Sequence, residues 1–566
     1  MKKVLLCLVV ICILSISAAP CLAESFPEDF ILGVDVSELI AQEQSGVKYY
    51  DAGGGEADAL AVLAQSGVDR IRVRVWNDPH DAEGRGYGGG NCDTSVAAAL
   101  SARAAALGMG TLIDFHYSDF WADPTRQLAP KAWAGMSPEE KREALYGFTC
   151  KALDEILDAG GDVDMVQVGN ETNYGMAGET DTLVMAELIA AGCRAVKDVA
   201  ARRGLEIKTC VHLTDILKSS RIAEVLDALD AAGADCDAVG LSYYPYWHGS
   251  LDRLARVISD IRTTWKRDVF VAETAWPFTL EDGDGWGNVI GDVSGPWPAS
   301  PEGQLSEFMN VCRTAAQAGA VGAYYWGGIW TPVGPDADEN WPIWEKRGSG
   351  WAASFATGYD PDNVGEDYGG CAWDNQALFD FEGRPLEALN AIRQLADGSF
   401  PEGVEAPEPE EDASAEDEGE NLVLNPGFED ADRAMWIAKS ETGEVPFDYQ
   451  DYAADAHGGD IAFHYWSKSD MDFTVEQTLT GLEDGIYEAS AWSQGGDMKD
   501  AELTFYVISG GERYEQPFMN TSWANWQNPV ISDIPVTGGE LTVGAHIKCA
   551  ALGWGTLDDF SVIKVK

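Results

Sequence analysis

Eight short β-type runs, each followed by an Ala- and Leu-rich helical pattern, constrain the first two-thirds of this chain more than any other feature. The runs are GVDVS (33–37), RIRVRVW (70–76), GTLIDFH (110–116), DMVQVGNE (164–171), IKTCVHL (207–213), AVGLSYY (238–244), DVFVAET (268–274) and GAYYWGG (322–328). Between them lie patterns such as EADALAVLAQSG, SVAAALSARAAALG, LVMAELIAAGCRAVKDVAARRG and RIAEVLDALDAAG. Strands that alternate with helices build a parallel sheet, and eight of them fit a closed (β/α)8 TIM barrel better than an open doubly wound sheet. No GxGxxG follows an early strand, so no dinucleotide site is expected.

The stretch PEGVEAPEPEEDASAEDEGE (401–420) has ten acidic residues, three prolines and no aromatic. It cannot bury a core and reads as an extended, self-repelling linker. Beyond it, from Asn421 to Lys566, short alternating strands such as FTVEQTL, GIYEASAWS, AELTFYVIS and ELTVGAHI are separated by Gly/Asp/Asn turns, the pattern of an all-β sandwich. At the other end, Lys2 and Lys3 precede an apolar run, Val4 to Leu14, and small residues up to Ala23. This is the layout of a secretory signal cleaved after Ala23. The expected organisation is a signal (1–23), a barrel (24–400), a linker (401–420) and a β-sandwich (421–566), exported and acting as a monomer.

Acidic residues outnumber basic ones 94 to 38, a formal charge of −56. That excludes a general nucleic-acid binder and disfavours docking on an anionic membrane. The 20 tryptophans suggest flat apolar ligands such as sugar rings, although core packing uses them too. Beyond the signal, eight scattered cysteines form no CxxC pair. Buried free thiols are expected, with neither a metal-ligand set nor a disulfide framework.

Catalytic groups of a barrel sit where strands end at its C-terminal face. Strand four ends in Gly169-Asn170-Glu171 and strand seven in Glu273-Thr274, both after apolar β runs. Two carboxylates facing each other, one protonated and one ionised, are what glycoside hydrolysis requires. After strand seven, LEDGDGWGN offers Asp282, Asp284 and Asn288 as oxygen ligands for a hard cation, with an ordinary Asp/Gly turn as the alternative.

The segments IDFHYSDFWADPTRQLAPKAW (113–133), RVRVWNDP, QVGNE, SYYPYWHG, VAETAWP and WDNQALFDFEG resemble the signatures of glycoside hydrolase family 53, the arabinogalactan endo-β-1,4-galactanases. The resemblance spans roughly residues 30 to 397. It implies a retaining double displacement on galactan, with Glu171 as acid/base and Glu273 as nucleophile, their carboxyls about 5–5.5 Å apart. Asn170 would bond the sugar 2-hydroxyl. Arg74 and Tyr244 would hold Glu273 ionised; strand alternation prevents Tyr243 and Tyr244 from both pointing inward. His116, Asp119, Trp121, His212 and Trp326 would line the cleft, with core packing as the alternative for the histidines and Trp326. Some members of the family hold structural calcium in a loop like 280–288; no cofactor is implied for the chemistry. One departure is YYWGGIW (324–330), where the family commonly reads YWEPAW, which bears on subsites and leaves the two Glu untouched.

The sandwich resembles a carbohydrate-binding module of family 61, through NLVLNPGFED and GWGTLDDFSVIKVK. Trp436, Tyr465, Trp466, Trp492, Trp523, Trp526 and Trp554 are its candidate platform residues, and Glu429 and Asp559 a candidate calcium pair. The alternatives within reach of the sequence are another retaining β-1,4-endoglycanase, mannanase- or xylanase-like, and a non-catalytic polysaccharide-binding protein.

Overall fold

The computed structural model describes residues 26–401, Val404 and 421–565, apart from 28, 294, 366, 430–431, 444, 452–454, 458–460, 500 and 524–525. The expected signal and nearly all of the expected linker, with Cys7, Cys12 and Cys21, lie outside the described residues. The chain divides into two compact units, 1–410 and 411–566.

In the first unit eight parallel strands close a barrel: β1 (Ile31–Asp35), β2 (Arg70–Val75), β3 (Gly110–Phe115), β4 (Val163–Val168), β5 (Lys208–Leu213), β6 (Ala238–Ser242), β7 (Asp268–Thr274) and β8 (Gly322–Tyr325). β1 pairs with both β8 and β2, which leaves no edge. Outside run α1 (Ala59–Gln65), α2 (Thr94–Ala106), α3 (Pro138–Asp158), α4 (Thr182–Arg203), α5 (Ser219–Ala231), α6 (Leu251–Thr264), α7 (Pro301–Gln317) and α8 (Glu387–Ala396). Their starts carry local signals. Asp58, Asp93, Asp181, Ser250 and Ser300 cap backbone N–H groups, and Ser137 forms a capping box with Glu140 just before Pro138.

Alternation along each strand separates two cores. Ile71, Val73 and Val75 of β2 face outward into the main apolar layer against the helices. The inward set is apolar at the strand starts, where Leu112, Met165, Cys210, Ala238, Phe270 and Tyr324 fill the lumen. Gly33 makes room there, because a Cβ at that position would sit 2.0 Å from the Tyr324 ring. Two residues further along, the same inward positions turn polar: Leu112 gives way to Asp114, Met165 to Gln167, and Cys210 to His212. The lumen is thus plugged below and carries a polar floor above, at the strands' C-terminal ends.

The second unit is a sandwich of two five-stranded antiparallel sheets. Its strands are β9 (Ile437–Ser440), β10 (Phe447–Asp451), β11 (Ile461–Trp466), β12 (Met471–Thr480), β13 (Gly485–Gly496), β14 (Glu502–Ser509), β15 (Glu512–Phe518), β16 (Val530–Val536), β17 (Glu540–Cys549) and β18 (Trp554–Lys564). The sheet orders are β9-β12-β17-β14-β15 and β10-β11-β18-β13-β16. Phe463, Phe473, Val475, Phe505, Val543 and Phe560 interdigitate between them. Among the described residues no helix is long and apolar enough to cross a membrane, and the eight described cysteines are free thiols.

Candidate active site

Arg72 organises the polar floor. Only 1% of its side chain is exposed. Its guanidinium lies against five oxygens: Nε donates to Gln167 at 3.2 Å, Nη1 to Asp35 at 3.1 Å and Nη2 to Asn170 at 3.0 Å, while Glu273 at 2.8 Å and Asp114 at 3.0 Å are ion-pair partners. Asp114 also takes a hydrogen bond from Gln167 Nε2 at 2.6 Å. Although burial raises it, the charges of Arg72 and His116 leave its carboxyl below its ordinary value. Burial and the nearby Asp114 and Asp35 hold Glu273 above the ordinary carboxylate range, although Arg72 and a 2.9 Å hydrogen bond from the Tyr244 hydroxyl oppose the shift.

Glu171 has no cation. Burial first, and the charge of Glu273 second, raise it to about 8. It leaves β4 through a tight turn, with Gly169 at φ 90° and Glu171 itself at φ 47°, and this left-handed backbone swings the carboxyl across to Ser242 Oγ at 2.7 Å. Two carboxyls on one cleft therefore differ in their surroundings: the guanidinium reaches one of them.

The cleft above them, about 750 Å3, is lined by Glu171, Glu273, Asn170, His116 and Arg74 and walled by indoles. Trp121 hydrogen-bonds the Trp351 carbonyl through Nε1 at 2.9 Å, and the Arg74 guanidinium lies 3.9 Å from its ring centre. Trp326 meets Trp373 edge-on at 4.7 Å. Trp247, 47% exposed, continues the wall. Apolar faces with a few convergent polar groups suit sugar rings, which present C–H faces and hydroxyl edges.

Several expectations need correction. Arg74 does not hold Glu273; Arg72 does. Both point inward, but Arg74 is two residues further along β2, about 6.6 Å higher. There it bonds Glu38 at 2.5 Å and the Gly89 carbonyl at 2.8 Å. Asp119 is absent from the cleft wall and instead pins its loop, accepting from the N–H groups of Asp78 at 3.0 Å and Lys131 at 2.7 Å. His212 lies beneath the floor, fully buried, between Asn170 and Ser242. Tyr244 reaches Glu273, while the Tyr243 hydroxyl turns away to the Gly249 carbonyl. His116 reaches the cleft with one ring edge bound to Asp114 and the other to Trp76.

Arg72, Gln167, Ser242, Trp330, Trp351 and Trp373 escaped the sequence reading. Arg72, Gln167, Ser242 and Trp373 stand inside the quoted motifs, but depth within the lumen, which separates Arg72 from Arg74, has no sequence signature.

The loop after β7 gathers oxygens. Asp282, Asp284 and Asp374 place carboxylate oxygens within 4.8 Å of one another. Burial and mutual repulsion raise Asp284 to about 7 and Asp374 to about 8. Asn288 donates to Asp374 at 2.9 Å, and its own Oδ1 is buried without a hydrogen-bond partner. Asp374 joins the expected trio from the far side of β8. In the sandwich, Glu429 accepts from the Ile461 N–H and Asp559 pairs with His457. Among the described residues the two belong to no three-ligand cluster.

Of the aromatic residues of the sandwich, Trp436 and Tyr465 belong to its core. Trp492 lies outward against His457, with ring centres 4.0 Å apart, and Trp526 meets that histidine edge-on at 5.0 Å. Trp523 is 56% and Trp466 45% exposed. Trp466 pairs across strands with Trp554, whose indole lies over Gly496, 3.1 Å from where a Cβ would be.

Residues 31–392 match the model of glycosyl hydrolase family 53. The chain is 44% identical over 385 residues to the endo-β-1,4-galactanase of Bacillus subtilis, covering 67% of this chain and 89% of that protein. It is 35% identical over 313 residues to the arabinogalactan endo-β-1,4-galactanase of Cellvibrio japonicus, covering 53% and 81%. The solved Ignisphaera aggregans GH53 catalytic domain superposes with a TM-score of 0.58 and 38% identity, over 66% of this chain and 99% of that one.

Replacing Arg72 by Met tests the floor. Three buried carboxylates lose their cation, so the unfolding free energy is expected to fall by about 3–5 kcal/mol at neutral pH, and by less at acid pH where the carboxylates protonate. Denaturant titration reads this directly, and a fall below about 1 kcal/mol would contradict the assignment.

Proposed function

This chain belongs to glycosyl hydrolase family 53, and from that premise we propose that it is a secreted endo-β-1,4-galactanase that cleaves galactan chains by a retaining double displacement. The observation that carries the reading is the unequal pair on one aromatic-walled cleft: Glu273 against Arg72, Glu171 against none. The Glu273 carboxylate attacks the anomeric carbon. The C–O bond to the leaving sugar breaks, and its electron pair takes the Glu171 proton. Glu171, now ionised, removes a proton from water. That water displaces Glu273 and restores both groups. Asn170, held by Arg72 and His212, is aimed at the sugar's 2-hydroxyl, and the indoles fix the rings on either side of the scissile bond.

The acidic loop fits a hard cation such as calcium. Its donors are all oxygens, two carboxyls are raised by burial and by a neighbouring carboxylate, and the Asn288 amide oxygen beside them is buried without a hydrogen-bond partner. Asp282, Asp284, Asp374 and Asn288 would hold the ion, which would tie the loop after β7 to the Asp374 segment and supply no chemistry. The outward indoles of the sandwich would hold galactan, and joining such a module to the barrel in one chain raises the enzyme's effective concentration on the polymer. A neutral polysaccharide leaves the acidic surface a solubility device.

Reducing ends are expected from galactan and not from mannan or xylan, with Glu171→Gln reducing the galactan rate about 10²–10⁴-fold. The general acid works only while protonated, so kcat/KM should hold below, and fall through, a pH of about 8. Equal rates on all three polymers, or no alkaline decline by about pH 10, would overturn the reading. Added calcium should raise the melting temperature by about 3–8 °C, an increment absent from Asp374→Asn; an equal increment in that variant would remove the cation site.

A further inference from the structure

His212 and Ser242 lie below the cleft and are not among the residues that line it. Hydrogen-bond accounting nevertheless gives them a role. Asn170 faces Arg72 Nη2 at 3.0 Å, and a guanidinium only donates, so the atom presented to it is the amide oxygen. The amide nitrogen correspondingly donates to the Ala122 carbonyl at 2.9 Å. The same Asn170 oxygen lies 2.8 Å from His212 Nδ1, a much shorter contact than the 3.4 Å that the Glu171 N–H makes to that nitrogen, so Nδ1 carries the ring hydrogen. Gln167 Nε2 is also near Nδ1, at 3.0 Å, but its two hydrogens have oxygen acceptors in Asp114 at 2.6 Å, Asn170 at 3.0 Å and the Gly169 carbonyl at 3.1 Å.

His212 is wholly buried and beside Arg72, conditions that hold it neutral, so its Nε2 is a bare acceptor. The Ser242 hydroxyl, 2.9 Å away, is the group that donates to it. That uses the only hydrogen Ser242 has. The remaining contact, 2.7 Å between Ser242 Oγ and Glu171 Oε1, then requires the hydrogen to come from Glu171.

We infer that His212 and Ser242 are positioning residues that select the protonated form of Glu171, through a hydrogen-bond chain running from Arg72 by way of Asn170, His212 and Ser242 to the acid. The inference rests on the reading of Glu171 as acid/base. The guanidinium that keeps Glu273 ionised thus also fixes, four groups away, where the second proton resides. Once Glu171 has given its proton to the leaving sugar, Ser242 can turn to donate to the carboxylate only by abandoning His212 Nε2. The chain therefore favours return of the proton when water attacks.

Other groups facing Glu171 are Glu273 on β7, Tyr244 after β6, Thr214 after β5 and Asp123 after β3. Those facing His212 are Arg72 on β2, Asp114 on β3 and His116 just beyond it. None of these is altered in the test below.

In the full-length protein, Ser242→Ala and His212→Asn should each slow galactan hydrolysis about 10-fold or more in kcat. Ser242→Ala should stay within about threefold of wild type in kcat/KM, which excludes the water step, on an aryl β-1,4-galactobioside whose phenol leaves without a proton. The alkaline limb of kcat/KM should move down by about one pH unit in both. Ser242→Thr, which restores the hydroxyl, should recover most of the loss. A loss shared equally by the two substrates, or an unmoved alkaline limb, would overturn the relay. If Glu171→Gln itself hydrolysed galactan normally, the acid assignment would fail, and not the relay alone.

Discussion

One buried cation sets the terms for the first unit. Arg72 has left water almost completely and is surrounded by Asp35, Asp114 and Glu273, with the Gln167 and Asn170 amides completing the five oxygens around it. A desolvated guanidinium is costly unless every donor is met, and three carboxylates packed together are costly without it. Neither side is stable alone. The parallel register of the barrel makes the arrangement possible, because β1, β2, β3, β4 and β7 deliver these side chains to one level of the lumen. The apolar plug beneath holds the level in place.

The asymmetry of the two carboxyls follows from reach. Glu273 is the end of a strand whose inward face meets Arg72. Glu171 leaves its strand through a left-handed turn and ends on the neutral pair Ser242 and His212. One carboxyl therefore keeps a counter-charge, and the other is pushed up by burial and by its neighbour. The indole wall acts on top of this, excluding water and strengthening both effects. The oxygen-rich loop at Asp282, Asp284 and Asp374 lies beside that wall: Gly285, Trp286 and Asn288 line the same cleft.

Much of this was legible in the residue order. The eight strand–helix alternations specify the barrel because period-two and helical patterns are local, and motif endings at Glu171 and Glu273 mark the strand tips that face the cleft. What escaped was depth. Arg72 and Arg74 share a strand face and differ by one pleat, and only packing decides which meets Glu273 and which meets Glu38. His212 reads as a ligand residue from its strand-end position, yet Asn170 and Ser242 close above it. Asp374 lies so far along the chain from Asp282 that no spacing rule connects them; the return of the chain past β8 does. In the sandwich, alternation separates the core Tyr465 from the outward Trp466 only once the strand register is known.

The central claim is that Arg72 divides the protons, leaving Glu273 ionised while Glu171 keeps its hydrogen through neutral pH. Carboxyl carbon-13 resonances of glutamate-labelled protein, assigned with Glu171→Gln and Glu273→Gln, report each group's titration separately. The account predicts that Glu171 titrates near pH 8, with Glu273 ionising at lower pH in the same sample. Glu273 losing its proton after Glu171, or the two titrating together, would contradict it.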